Sequence, residues 1–153
     1  MALPETIRIE PATAADAPAM RALLERAHLP VDDLASHLGS ALVARHGDRV
    51  VASAAIEIYA DGGLLRSVAV DADCRGAGLG ARLTAAAIED ARRRALPALY
   101  LLTTTAEKFF PRFGFERIER SDVPASLHQS VEFRGACPAT AIVMRRRLTP
   151  PEA

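Results

Sequence analysis

The chain lacks the features that mark several broad protein classes. Among its 153 residues there are only two cysteines, Cys74 and Cys137. These are too few for a disulfide framework and lack the paired spacing of a structural zinc site, so free thiols are expected. The four histidines, His28, His37, His46 and His128, are scattered without ligand spacing, and no metal site is expected. Net charge is also absent, since 19 Lys and Arg balance 19 Asp and Glu. That removes the broad electrostatic reason to expect nucleic acid or an anionic membrane as a partner. Nowhere do eighteen apolar residues follow one another, and Met1 to Pro11 has no cationic start leading into an apolar run. A soluble cytoplasmic protein with a small-molecule ligand is the expectation. There is no internal repeat, and the short tail around Pro150-Pro151 is expected to fray.

What is present is ordinary globular composition, half hydrophobic and one quarter charged. A single domain over 1–153 is expected, long enough to bury about two-thirds of the surface of its unfolded form. Ile7 and Ile9 alternate as in a short strand, and Thr13 with Asp16 forms a capping box for a helix bearing Ala17, Met20, Leu23, Leu24 and Ala27 on one face. His28-Leu29-Pro30 closes that helix. A second short helix is predicted over 31–38, then strands over 41–44 and 50–59 joined at His46-Gly47-Asp48. Asp61-Gly62, taken as the centre of a type I′ turn, sets Tyr59 opposite Leu64 and Glu57 opposite Arg66. A strand over 64–70 runs through a glycine loop into a helix over about 80–95. That helix has an apolar face of Leu79, Leu83, Ala86, Ala87 and Ala91, and Arg92-Arg93-Arg94 form a solvated last turn. Then come a strand over 99–103 and a short helix holding Phe109 and Phe110, capped by Thr104 with Glu107 and ended by Gly114. A strand over 115–118, a short helix over 123–131 and a strand over 140–144 complete the chain. The order is mixed α/β, an antiparallel meander feeding a strand–loop–helix–strand unit.

The loop Arg75-Gly76-Ala77-Gly78-Leu79-Gly80 carries three glycines at alternate positions between a strand and a helix. Without Cβ atoms, successive backbone N–H groups can converge on an anion at the helix N-terminus, and phosphate is the natural ligand. Gly76 to Ala81 also satisfies the loose dinucleotide pattern, but the preceding strand sits in a hairpin meander and the next one ends in Thr103-Thr104-Thr105 without an acidic residue. No Gly-Lys-Ser/Thr follows, which excludes a nucleoside-triphosphate loop. A plain glycine-rich turn without a ligand stays open as the bland reading.

With Leu65 to Val70 before it, this loop resembles the Gln/Arg-x-x-Gly-x-Gly/Ala signature of the GNAT superfamily of acyl-CoA-dependent N-acetyltransferases. Phe109-Phe110-Pro111-Arg112-Phe113-Gly114-Phe115 is similar to that family's aromatic-Tyr-x-x-x-Gly-Phe element. The resemblance implies the acyl-CoA N-acyltransferase fold, a mixed and mostly antiparallel central sheet flanked by helices, over about Ile7 to Arg146. It implies acetyl-CoA as acyl donor and no metal, with the backbone of Val68, Ala69 and Val70 along the pantetheine arm. Arg75, Gly76, Ala77, Gly78, Leu79, Gly80 and Ala81 would lie around the pyrophosphate, and Phe110 and Arg112 would complete the cofactor-binding set. Leu64 to Val70, Tyr100 to Thr105 and Ser130-x-x-Phe133-Arg134-x-x-Cys137-Pro138 look like the branch of this superfamily encoded in arsenic-resistance operons. That branch implies an amino acid, or an amino-acid-like arsenical or phosphinate, as acceptor. Homodimers are common in the family.

Attack of an amine on a thioester needs a base for the ammonium proton, a donor to the developing oxyanion and, in many cases, an acid for the thiolate. Glu57 is the candidate base. Its bland alternative is a cross-strand ion pair with Arg66. Tyr59, on the same strand face, either lines the substrate site or covers the sheet edge. Position 110 departs from the family pattern, because phenylalanine cannot donate the proton that tyrosine would. Arg66 and Arg134 suit a substrate carboxylate, arsonate or phosphinate, with Ser67 and Thr103 beside them in the substrate-binding set. Three functions follow for comparison. The first is an N-acetyltransferase acting on a small amine. The second is a non-catalytic acyl-CoA-binding module or sensor. The third is a protein acetyltransferase, for which the sequence offers no acidic run.

Overall fold

The computed structural model describes residues 7–31, 33–76, 78–136 and 140–148. Expectations for Ala77, Cys137, Pro138 and the Pro150-Pro151 tail lie outside the described residues. The strands are β1 (Ile7–Pro11), β2 (Ala41–His46), β3 (Arg49–Tyr59), β4 (Gly62–Val70), β5 (Ala98–Thr103), β6 (Glu116–Ile118) and β7 (Ile142–Arg147). The helices are α1 (Ala17–Arg26) and α2 (Leu79–Arg93), with short 3-10 segments in several connections. All seven strands join one sheet in the order β1-β2-β3-β4-β5-β7-β6. β4 and β5 pair in parallel, while β1–β2, β2–β3, β5–β7 and β6–β7 pair antiparallel. The architecture is therefore the expected one, mixed α/β with a mostly antiparallel sheet and flanking helices.

The chain divides into two compact units, Met1–Ile56 with Ser67–Ala87, and Glu57–Arg66 with Ile88–Ala153. In the first, Met20, Leu23 and Leu24 of α1 pack with Val43, Val50, Ala55 and Ala69 of the strands and with Leu34. The helical spacing of these apolar residues places them on one stripe of α1, which is why that stripe is the buried one. Val50 to Ile56 of β3 is buried without interruption. A strand covered on both faces loses the alternation of a half-exposed one, and small residues such as Ala52, Ala54 and Ala55 suit that position. In the second unit, Leu64, Tyr100 and Val143 from three strands pack with Val123 and Leu127 of the connection before β7.

Three local expectations are corrected. The Asp61-Gly62 turn is not type I′, which needs a positive φ at both residues; among the described residues Gly62 has one (152°) and Asp61 does not. Glycine is needed at 62 for another reason, since a Cβ there would come within 2.9 Å of the Ala98 carbonyl oxygen. The short 3-10 helix Phe110–Phe113 has Phe109 at its N-cap and no side-chain cap, so Thr104 does not cap it; the threonine hydroxyl engaged after β5 is that of Thr103, accepting from the Ala106 amide at 2.9 Å. The helices expected over 31–38 and 123–131 are 3-10 segments, Leu34–Ser40, Arg120–Asp122 and Ala125–Gln129, with a π-type turn over Glu132–Ala136. The Arg92-Arg93-Arg94 cluster is a last turn in which each arginine pairs with Glu89 or Asp90 on the same helix. No helix among the described residues is long and apolar enough to cross a membrane.

The Thr13–Asp16 box is formed, the Thr13 amide donating to Asp16 at 2.7 Å. Asp16 also accepts a bidentate pair from Arg45 at 2.7 and 2.6 Å. Hydrogen bonds from Arg45 outweigh burial and hold the Asp16 carboxyl at about 2, down from 3.8. A depressed folded value contributes stability above the unfolded value and loses it as pH falls through the folded one. Acid unfolding followed by thermal melts should therefore show stability declining between about pH 4 and pH 2. Asp16→Asn should flatten that limb and cost about 1–3 kcal/mol at neutral pH.

Candidate functional site

The first group of predicted residues lies in the first unit, where β4 leaves the sheet. Ser67 has φ 59°, in the left-handed region inside a strand, a conformation that costs an L-residue roughly 1–2 kcal/mol. The fully buried Ser53 on β3 donates its hydroxyl to the Ser67 carbonyl oxygen at 2.8 Å, satisfying that acceptor. Ala69 is buried, and Val68 and Val70 are half-buried. At the end of β4 the Asp71 amide donates to the Val51 carbonyl at 2.8 Å. The Asp71 carboxylate caps the Ala72–Cys74 turn by accepting from the Asp73 amide at 3.0 Å, and it pairs with Arg49 at 2.8 Å. The Asp73 amide and the Arg49 guanidinium together hold the Asp71 carboxyl below its usual range.

The glycine loop follows. Gly76 and Gly78 have φ of 89° and 77°, which strains any other residue, and a Cβ at either would project into open space. α2 then starts at Leu79, a buried anchor. The Arg82 amide bonds the Gly78 carbonyl at 3.0 Å, and the Thr84 hydroxyl donates to the Gly80 carbonyl at 2.8 Å. Gly80 and Ala81 stand in the first turn, whose amides have no carbonyl partner within the helix and carry the positive end of its dipole. Arg75 is exposed, its Nε 3.4 Å from the Val70 carbonyl oxygen. Amide donors at a helix start, room in front of two glycines and an exposed guanidinium fit a pyrophosphate.

The second group lies in the second unit. Arg66 has a fully buried side chain and pairs with two carboxylates, Glu57 at 2.6 Å and Glu132 at 3.3 Å. Glu57 also accepts from the Ser130 hydroxyl at 2.9 Å and from the Tyr59 hydroxyl. The Glu132 amide in turn donates to the Ser130 hydroxyl at 3.2 Å. Burial pushes the Glu57 carboxyl up, but hydrogen bonds from Tyr59, Arg66 and Ser130 outweigh it, and the net shift is downward. The cross-strand ion pair is thus formed, and Arg66 is engaged by the chain's own carboxylates. Phe110 is buried, edge-to-face with Phe109 and Phe115 at 5.0 and 5.8 Å. Exposed Arg112 stacks over Phe109 at 4.9 Å. Thr103 is buried, its hydroxyl turned to the Ala106 amide. Arg134 is exposed, donating to the Gln129 carbonyl at 3.3 Å. Cys74 is a buried free thiol.

Sequence reasoning overlooked Ser53, Asp71 and Glu132. A lone serine in the apolar run from Val50 to Ile56 was the signal for the first, and an aspartate directly after a strand was the signal for the second.

A family model described as "Acetyltransferase (GNAT) domain" matches residues 37–117, more than half of the chain. No curated protein matches the sequence. Among solved structures, N-acetylglutamate synthase from Neisseria gonorrhoeae, complexed with coenzyme A and N-acetyl-glutamate, is similar at 25% identity with a TM-score of 0.80. That match covers 94% of this chain and 35% of the synthase, so the chain spans about a third of that protein. A Mycobacterium tuberculosis protein in complex with CoA aligns at 24% identity and TM-score 0.77, over 93% of this chain and 99% of that one. The ribosomal-protein-S18-alanine N-acetyltransferase of Escherichia coli aligns at 21% and 0.74, over 95% and 96%. The last two likenesses are of fold alone.

If Ser53 holds the kink at Ser67, Ser53→Ala should cost about 1 kcal/mol or somewhat more in urea unfolding by removing one buried hydrogen bond to the Ser67 carbonyl.

Proposed function

The chain belongs to the acetyltransferase (GNAT) domain family, and on that premise we propose that it moves an acetyl group from acetyl-CoA to the amine of a small acceptor that also carries an anionic group. An amino acid, or an amino-acid-like arsenical or phosphinate, is the acceptor class. The observation that carries the reading is the glycine loop, with left-handed Gly76 and Gly78 opening onto the start of α2. Its support comes from the CoA-complexed N-acetylglutamate synthase.

In this reading Arg75 and the amides from Gly76 to Ala81 hold the pyrophosphate, and Val68 to Val70 offer backbone groups to the pantetheine arm. Bound acetyl-CoA supplies an activated thioester carbonyl. The Val68 backbone amide is the proposed donor to the developing oxyanion, and the kink at Ser67 fixes its direction. Arg134 is the proposed partner of the acceptor's anionic group, since Arg66 is turned to Glu57 and Glu132. Glu57 is ionised at neutral pH and surrounded by donors. A carboxylate held below its usual range is a weak base, so its first role in this reading is to fix Arg66, and proton removal from the acceptor would pass through water. A non-catalytic acyl-CoA-binding module is the competing reading, favoured by Phe110 and by the engagement of the Tyr59 hydroxyl with Glu57.

Calorimetric titration with CoA and a thiol-release assay over an amino-acid and amino-arsonate panel test the proposal. Binding should be seen, and Gly78→Val should abolish it without altering the circular dichroism. Turnover is expected with at least one acidic acceptor. Tight CoA binding with no turnover of any amine would select the non-catalytic module, and no CoA binding would overturn both. Should Glu57 nevertheless be the base, Glu57→Gln would lower kcat about 100-fold or more and remove an acid limb lying below the ordinary carboxylate range.

A further inference from the structure

Ser130, Glu132 and Arg134 belong to one short stretch that ends in the π-type turn Glu132–Ala136. Two of the three point into the protein. Ser130 and Glu132 are 2% and 5% exposed, and each meets the hairpin formed by β3 and β4 through a charged group, Ser130 at Glu57 and Glu132 at Arg66. The stretch is also tied to itself, with the Glu132 amide on the Ser130 hydroxyl at 3.2 Å and the Arg134 amide on the Ser130 carbonyl at 3.0 Å. Gly135, at φ 119°, turns the chain immediately after Arg134. The exposed guanidinium therefore stands two residues from a carboxylate anchored in the interior.

A buried ionic network is a poor way to gain stability, because desolvation of its charges consumes most of the attraction between them. Its best-attested use is to select one geometry. Here it fixes the segment that presents Arg134. From this arrangement we infer that Glu132 is a positioning residue for acceptor recognition, acting through Arg66 and Ser130 to hold Arg134 where it meets the acceptor's anionic group. The inference rests on the proposed function and deepens it, since it assigns selectivity for acidic acceptors to this one anchored segment. Recognition by a fixed guanidinium is geometric, so a loosened anchor weakens the acidic acceptor and spares the coenzyme.

The test compares Glu132→Gln, Ser130→Ala and Arg134→Ala with the wild type. Each is assayed on paired acceptors, an acidic amino compound and the same amine lacking its anionic group, and amide hydrogen exchange is followed over residues 130–136. Glu132→Gln should lower kcat/KM for the acidic acceptor about 10- to 100-fold, with little change for the uncharged partner or in KM for acetyl-CoA. Exchange over 130–136 should accelerate in the same variant, and Ser130→Ala should show both effects in weaker form. Arg134→Ala should lose the same preference without faster exchange. Loss of preference in Arg134→Ala with wild-type selectivity and exchange in Glu132→Gln would overturn the inference and leave the proposed function standing. A wild type that turns over no acceptor would sink the proposed function instead, while exchange still reports whether Glu132 holds the segment. If Glu132→Gln does not fold, Ser130→Ala carries the decision by the same two readouts.

Discussion

A guanidinium with no exposed surface, that of Arg66, is the constraint around which the second unit is arranged. Removing a cation from water costs several kcal/mol even after relaxation, and the loss is recovered only where carboxylates and further hydrogen bonds surround it closely. Glu57 has to be ionised to serve Arg66, and its own burial works against ionisation. Donors from Tyr59, Arg66 itself and Ser130 together decide that contest in favour of the anion. Because Ser130 and the second carboxylate, Glu132, come from the connection before β7, satisfying Arg66 also dictates where that connection must lie. One buried charge thus specifies a loop conformation that apolar packing alone would leave less defined.

The first unit answers to a constraint of another kind, lodged in the residue after Arg66. A strand residue at φ 59° interrupts the regular alternation of side chains. The backbone from Val68 onward is re-aimed as a result. Strain of this order persists only where the surroundings over-determine it. Ser53 supplies part of that determination from within β3, and the Asp71 amide on the Val51 carbonyl fixes the other end of the segment. Between these two points lies the stretch proposed to meet the pantetheine arm, and beyond it the glycine loop, whose shape depends on residues without a Cβ.

How much of this was legible in the sequence depended on the range of the interaction. The glycine loop was readable because its chemistry is local: left-handed backbone at Gly76 and Gly78 leaves a compositional mark. The Glu57–Arg66 pair was readable from a hairpin even though the turn type was misjudged, since two strands joined by so short a connection bring those residues near one another in more than one register. Which threonine hydroxyl engages the Ala106 amide was not legible, because Thr103, Thr104 and Thr105 offer the same group and only tertiary packing selects among them. Ser130 on Glu57 joins residues 73 apart, and no local pattern encodes such a contact. Glu132 was invisible for the same reason, one more acidic residue in a chain that has 19. The position of β7 between β5 and β6 likewise follows from the assembly of the sheet and not from the order of the chain.

Phenylalanine at 110 bears on whether transfer is chemically feasible. Its ring is locked among Phe109 and Phe115, and the Tyr59 hydroxyl is directed to Glu57, so neither position offers an evident acid. The size of that deficit can be judged from the leaving group. An ordinary thiol has a pKa of about 8.5, and each unit corresponds to about 1.4 kcal/mol, so a thiolate departing near neutral pH without a proton forgoes about 2 kcal/mol. A positioned general acid contributes about 100- to 10,000-fold in the cases where one acts, so the loss lies between about 30-fold and that range. Proximity alone contributes about 7–11 kcal/mol to a well-aligned transfer, and a donor to the oxyanion about 3–4 more. On these magnitudes the absent hydroxyl slows an acetyltransferase without disabling it. In the proposed reading, that leaves the oxyanion donor at Val68 as the group whose placement matters to the chemical step, and Ser53 is the residue that holds the backbone before it.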